Sequence, residues 1–245
     1  MTFKNIGAAW LLLFTGLASA QTAALSPPPP PVTTYITPEA LFLAQPLPAW
    51  PQSGSAADAD LQAVLAAQAQ RTPADVAEAL LDANRGPVAW AQDVAGLGAT
   101  FTEQRFPATT ALLLALHEDM RAVNRAGNAE KGHRARPGVV DSRVQSIFAA
   151  SLTNSASYPS ARSASSRVWA LLLADVFPAR RAALMAHAER TAQLRLLGGA
   201  HFPSDITAGQ QVGDAYYTQA GSRPVFQQAL TKAKEEANRS TQPTR

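Results

Sequence analysis

Apolar residues recur along most of this chain at the three- and four-residue spacing of a helix. Nowhere do they alternate over a useful length, as they would in a half-buried strand. The clearest case follows Pro107, where Leu112, Leu113, Leu116, Met120 and Val123 share one helical face before Gly127. Residues suited to helix ends mark the boundaries. Thr72-Pro73 predicts an N-cap and first helical residue, with Gly86 as the stop. Another helix is predicted from Pro159 or Ser160 to about Phe177, carrying Val168, Trp169 and Leu171 to Leu173. Pro178 starts the next, which ends at Gly198-Gly199. Pro203 opens a helix to about Gln219, and Pro224 opens a polar one to about Asn238. Ala, Leu, Gln, Glu and Arg dominate these stretches, in line with helix propensity. The expectation is an all-α fold, built as a single-domain helical bundle.

The amino-terminal pattern differs. MTFKNIGAAWLLLFTGLASA (1–20) has one lysine, a short apolar run and a small-residue end, which predicts a secretory signal peptide cleaved after Ala20. That apolar run is too short and interrupted to span a bilayer. SPPPPPVTTYITP (26–38) is expected to be extended over the surface. A short helix at 38–45 and a loose stretch, PLPAWPQSGSA (46–56), follow it. The predicted organisation is a signal peptide over 1–20, a proline-rich lead-in over 21–56 and a helical domain over 57–240.

Composition narrows the function. The absence of cysteine excludes a disulfide framework and a cysteine-borne lipid anchor. The net charge is only +3 and no Lys/Arg run is interleaved with aromatics, so nucleic acid is not an expected partner. Membrane insertion is not expected either. The signal peptide points to the periplasm, with secretion as the alternative. Four scattered histidines and no ligand-spaced cluster give no expectation of a metal or cofactor.

Three segments carry chemistry. In RLLGGAHFPSD (195–205), His201 has an acid four residues on, Asp205, within reach of an imidazole N–H. Such a partner fixes the tautomer and leaves the other ring nitrogen free to attack or to accept a proton. Arg195 adds a planar cation suited to two phosphate oxygens; surface neighbours at this spacing are the plainer alternative. Tyr158-Pro159-Ser160-Ala161-Arg162 lies where a helix begins, so free N–H groups and the dipole favour an anion there. An ordinary Ser-capped helix start reads equally from those residues. In KGHRARP (131–137), the proline after Arg136 ends a helix or turn and aims the arginine.

In this order and spacing the three segments resemble the class A nonspecific acid phosphatases, soluble members of the phosphatidic acid phosphatase type 2 and vanadium haloperoxidase superfamily. That family shows Lys-x6-Arg-Pro, Pro-Ser-Gly-His and Ser-Arg-x5-His-x3-Asp. Here Arg136-Pro137, Pro159-Ser160 and Arg195, His201, Asp205 match. FTEQRFPATTALLLALHEDM (101–120), ASYPS (156–160) and PVFQQALTKAKEE (224–236) also look like family sequence. The resemblance implies a phosphohistidine mechanism for phosphate monoesters, with His201 as nucleophile and Asp205 orienting it. Arg136, Arg195, Ser160, Ala161 and Arg162 would line the phosphate cradle.

Four family positions differ. The motif lysine falls on Ala129, the glycine is Ala161, the general-acid histidine is Arg162, and the serine before Arg195 is Leu194. Arginine does not exchange a proton near neutral pH, and losing a positioned general acid typically costs about 10²–10⁴ in rate. His133 is one candidate replacement; His117 and His187 sit in helices at positions that read as structural or exposed. Two expectations follow: an acid phosphatase weakened by loss of its proton donor, or a noncatalytic relative that keeps the fold and binds phosphate or another anion. A homo-oligomer is left open.

Overall fold

The computed structural model describes residues 34–148 and 155–241, so the expectations for the signal segment and the proline run fall outside the described residues. The described chain is all-α. Its helices are α1 (Pro38–Ala44), α2 (Gly54–Gln70), α3 (Pro73–Ala83), α4 (Pro87–Gln92) and α5 (Pro107–Glu130), then α6 (Pro137–Val140), α7 (Ala161–Val176), α8 (Arg181–Leu197), α9 (Pro203–Gly221) and α10 (Pro224–Thr241). A 3-10 turn, Pro178–Arg180, joins α7 to α8.

The architecture is organised around α7. It packs on α5, α8, α9 and α10, and Val168, Trp169, Leu172 and Leu173 are fully buried within the main core. The stripe predicted for α5 lies in the same core, with Leu112, Leu113, Leu116, Met120 and Val123 all buried. Burial of such stripes is the main favourable term in the fold. Two aromatic contacts bind the layers: Trp90 of α4 meets Trp169 at 5.6 Å between ring centroids, and its Nε1–H donates to Thr191 Oγ1 of α8 at 2.9 Å.

α7 and α9 cross closely because α9 carries glycines where they meet. A Cβ on Gly209 would fall 2.4 Å from the Ser160 carbonyl oxygen, and one on Gly213 would fall 2.8 Å from that of Ala164. The Ser160 N–H also donates to the Asp205 carbonyl at 2.9 Å, so the first turn of α9 is fastened to the start of α7. This seam brings the second and third sequence motifs together.

The structure differs from the sequence expectations in four places. Thr72 caps α3 through a reciprocal capping box with Asp75, but the helix ends before Gly86, which instead precedes Pro87 at the start of α4. α5 runs through Gly127 because that position is packed: a Cβ there would lie 3.2 Å from Phe42 and 3.3 Å from Leu47. Pro137 begins a short helix rather than ending one, with Arg136 in extended conformation as its N-cap. The lead-in does not simply lie over the surface. Ile36, Leu41 and Leu47 are buried in the core, and the Tyr35 N–H donates to Asp119 Oδ2 at 2.7 Å. Asp119 also accepts from the Tyr216 hydroxyl at 2.6 Å, so one buried carboxylate of α5 fastens the lead-in to α9.

Candidate active site

His201 lies in the short link between α8 and α9, after Gly199, whose φ of +70° is open to glycine and costly for other residues. The imidazole is 5 % exposed. Its Nδ1 sits 2.8 Å from the Ser157 carbonyl oxygen and 3.6 Å from Asp205 Oδ2. Both neighbours only accept, so the proton belongs on Nδ1 and the lone pair on Nε2. The contact of hydrogen-bond length is the one to Ser157; Asp205, at 3.6 Å, acts through its charge. Burial pushes the His201 pKa down to about 4, reinforced by Arg136 and Arg195 and opposed by Asp205. The ring is therefore neutral through the mildly acidic and neutral range.

Asp205 is completely buried and held by three donors. Arg134 Nη1 donates at 2.5 Å, Ser157 Oγ at 2.6 Å and the Phe202 N–H at 2.8 Å. Burial alone would raise its pKa, but His201, Arg134 and Ser157 together hold the carboxyl below its usual value. Arg134 in turn bridges to Asp60 Oδ2 of α2 at 2.8 Å, and Asp60 also accepts from the Ser204 hydroxyl. Ser157 thus serves twice: its hydroxyl steadies Asp205 while its carbonyl fixes His201.

The sequence reading did not single out Arg134, Ser157 or Asp60. One signal was available. In Arg-Ala-Arg-Pro two arginines stand two residues apart in a stretch without regular structure, and each takes different partners. Arg134 takes the two carboxylates, and Arg136 takes the neighbouring carbonyls and His201.

Arg136 is densely engaged. Its Nη1 donates to the Ala200 carbonyl at 2.9 Å and lies 3.1 Å from His201 Nε2. Nη2 donates to Ser155 Oγ at 3.0 Å and to the Ala156 carbonyl at 2.9 Å. With Nδ1 protonated, Arg136 donates to the Nε2 lone pair and marks the side from which an oxygen-bearing group would approach.

Arg195, in the last turn of α8, is the opposite case. It is 6 % exposed, its guanidinium lies 4.0 Å from the centroid of the Phe148 ring, and its Nε has no hydrogen-bond partner among the described residues. Burial pushes its pKa down to about 10; Asp82 opposes that shift, and Arg162 and Arg136 reinforce it. A buried cation whose Nε has no partner among the described residues, and which feels the charges of two other arginines, is suited to an anion.

The remaining predicted residues are placed differently. Ser160 is fully buried and N-caps α7: its Oγ accepts from the Ser163 N–H at 3.4 Å and pairs with Ser163 Oγ at 2.9 Å. The ordinary capping role read from the sequence is therefore present. Ala161 is the first residue of α7, and its carbonyl accepts from Asn124 at 3.3 Å. Arg162 turns toward the end of α3. Its Nε and Nη2 grip the Asp82 carboxylate at 3.1 Å and 2.8 Å, and Nη1 donates to the Arg85 carbonyl at 2.8 Å. In this arrangement its donors are occupied by protein.

The other histidines lie in different settings. His133 is exposed in the non-helical stretch before Arg136, so it does not share a helical face with that arginine. His117 and His187 are half-buried, and burial lowers the pKa of each. No group of three or more metal-ligating side chains occurs among the described residues. No helix among them is long and apolar enough to cross a membrane.

Comparison with known proteins adds partial matches. The chain is 37 % identical over 87 residues to a non-specific acid phosphatase of Salmonella typhi, a span that covers 36 % of this chain and 35 % of that protein. It is 36 % identical over 87 residues to the one of Salmonella typhimurium. A non-specific acid phosphatase of Providencia stuartii is 29 % identical over 143 residues, 57 % of each chain. The chain thus spans about a third of the length of the two Salmonella relatives and just over half of the Providencia one. No family model matches the chain. These similarities support kinship with the non-specific acid phosphatases.

Proposed function

We propose that this protein is an acid phosphatase-type phosphomonoesterase of the phosphatidic acid phosphatase type 2 superfamily, acting in the periplasm after removal of residues 1–20. His201 is the nucleophile. The observation that carries this reading is an imidazole held neutral, with Nδ1 hydrogen-bonded and Nε2 bearing the lone pair, within the field of a buried Arg195 that has no partner at Nε among the described residues. In the reaction, Nε2 attacks phosphorus and the ester P–O bond breaks. The leaving oxygen departs with its electron pair and takes a proton from solvent. The imidazolium so formed keeps its Nδ1 proton against the Ser157 carbonyl, with the Asp205 charge nearby. Water then attacks phosphorus, the P–N bond breaks, and phosphate leaves. Arg195 balances charge on the non-bridging oxygens, and Arg136 does so by exchanging one of its protein partners for phosphate.

The pairing of Arg162 with Asp82 supports a narrowed activity. No side chain at that position supplies a proton to the leaving oxygen, so esters with stable leaving groups are favoured over alkyl esters. The same pairing, together with Arg136 lying against Nε2, favours a second reading: a noncatalytic protein of this fold that binds phosphate at Arg195.

The test is hydrolysis of an aryl and an alkyl phosphate by the mature protein, beside His201→Ala. Aryl turnover abolished by the substitution, with alkyl turnover lower by about 10²-fold or more, supports the phosphohistidine reading. Phosphate binding without turnover of either ester supports the second reading.

A further inference from the structure

A second polar cleft lies along the groove between α5 and α7; Ala161 and Arg162 line it, but His201, Arg136 and Arg195 do not. Its volume is about 370 Å³, within the roughly 300–1,000 Å³ of sites for small molecules. Its walls carry an unusual burden. The side-chain atoms Trp169 Nε1, Asn124 Oδ1, Asn128 Oδ1 and His117 Nδ1 all belong to wall residues, are buried, and have no hydrogen-bond partner among the described residues. Trp169 is fully buried and Asn124 is 7 % exposed. Buried polar atoms are nearly always paired, and each one left unpaired is costly. Four such atoms on one cleft mark a place where a ligand completes the structure.

The chemistry of the atoms restricts that ligand. Trp169 Nε1 can only donate, so it needs an acceptor. Asn124 has committed its amide N–H to the Ala161 carbonyl, which leaves its oxygen to accept. Asn128 offers an oxygen as well, and His117 Nδ1 serves either role according to tautomer. A hydroxyl group both donates and accepts, so a polyhydroxylated molecule matches the whole set. At the rim stand Arg121 and Arg125, both exposed; the ion pair of Arg121 with Glu118 is a loose 3.7 Å. These cations favour an acidic group at the outer end. The unpaired atoms have almost no accessible surface, so a ligand reaches them only when side chains of the cleft change rotamer.

We propose that the cleft between α5 and α7, floored by Trp169, Asn124 and Asn128 and rimmed by Arg121 and Arg125, binds a small hydroxylated anion of the sugar-phosphate or sugar-acid class. None of His201, Asp205, Arg136 and Arg195 lines the cleft, whereas Ala161 and Arg162, at its α7 wall, do. The cleft gives the protein a means of sensing or holding a hydroxylated anion whether or not the other centre turns over.

The experiment is calorimetric titration of the mature His201→Ala protein, which cannot consume a phosphate ester through that residue. The probes are glucose 6-phosphate, glycerol 3-phosphate and gluconate, with glucose and inorganic phosphate as controls. At least one hydroxylated anion is expected to bind more tightly than either control; the two phosphates against gluconate report which acid the rim prefers. Arg121→Ala/Arg125→Ala, two exposed changes that spare the core, should weaken it by about tenfold or more. Asn128→Leu should weaken it too, whereas Arg143→Ala, an exposed cation elsewhere, should not. Absence of binding by all three anions overturns the proposal. Binding that survives both cleft variants also overturns it, because the anion then sits elsewhere.

Discussion

The imidazole Nδ1 of His201 lies 2.8 Å from the backbone carbonyl of Ser157, closer than the 3.6 Å that separates it from the Asp205 carboxylate. The immediate tautomer-fixing partner is thus main chain, and the carboxylate acts one step back by holding Ser157 in place. Ser157→Ala removes the hydroxyl bond to Asp205 but keeps the carbonyl. It should cost about 1 kcal/mol of stability by urea denaturation and less than about tenfold in turnover of an aryl phosphate. Asp205→Asn removes the charge that steadies the imidazolium, and its turnover should fall by about 10²–10⁴. Equal losses in the two variants would show that the carbonyl contact is not what sets the tautomer.

The pairing of Arg162 with Asp82 makes an equally specific demand. Both side chains are largely buried, at 14 % and 8 % exposure, so removing one partner strands a charge. Asp82→Ala should lower stability by about 3 kcal/mol. Asp82→Ala/Arg162→Leu should recover much of that, because no unpaired cation remains. A double-mutant cycle by thermal denaturation reads the difference, and additive losses would contradict the pairing.

Protonation of His201 links pH to stability. An unfolded histidine titrates near 6.5, whereas His201 in the fold is pushed down to about 4. Between those values the unfolded chain binds the proton and the native protein does not. Stability contributed by neutral His201 is therefore complete above about pH 6.5 and falls away toward pH 4. His117 and His187 are shifted the same way, so the comparison must isolate His201. His201→Gln should lose less stability than the parent between pH 7 and pH 4.5. An identical pH slope in the two proteins would contradict the shift.

The crossing of α7 and α9 is tested by Gly209→Ala. The added Cβ meets a backbone oxygen, Ser160 O, at 2.4 Å rather than a side chain that can move aside. A loss of about 1–3 kcal/mol is expected by denaturation. Gly221→Ala, where a Cβ meets nothing within 4 Å, serves as the matched control and should change stability little.

The helices were legible because their caps and periodicities are local. Thr72-Pro73, the Leu112 to Val123 stripe and the Gly198-Gly199 stop each depend on residues within a few positions of one another. Gly127 misled because a glycine needed for close packing against Phe42 and Leu47 looks, in one dimension, like a helix stop. At the candidate site, Arg136, Arg195, His201 and Asp205 could be read from motif spacing, and contacts join Arg136, His201 and Asp205 with Ser157. The rest could not. Nothing local announces that Arg162 is met by Asp82, 80 residues earlier, or that Arg134 is bridged to Asp60, 74 residues away. Those are choices among distant charges, made only once α2 and α3 pack against α8 and α9.

Capture of the covalent intermediate tests the phosphohistidine chemistry directly. The mature protein would be mixed with an aryl phosphate, quenched in alkali, where a phosphorus–nitrogen bond survives, and digested for mass spectrometry. One phosphoryl group is expected on the peptide carrying His201, absent from His201→Ala. Aryl phosphate turnover with no phosphoryl group on His201, or with one on another residue, would contradict that chemistry.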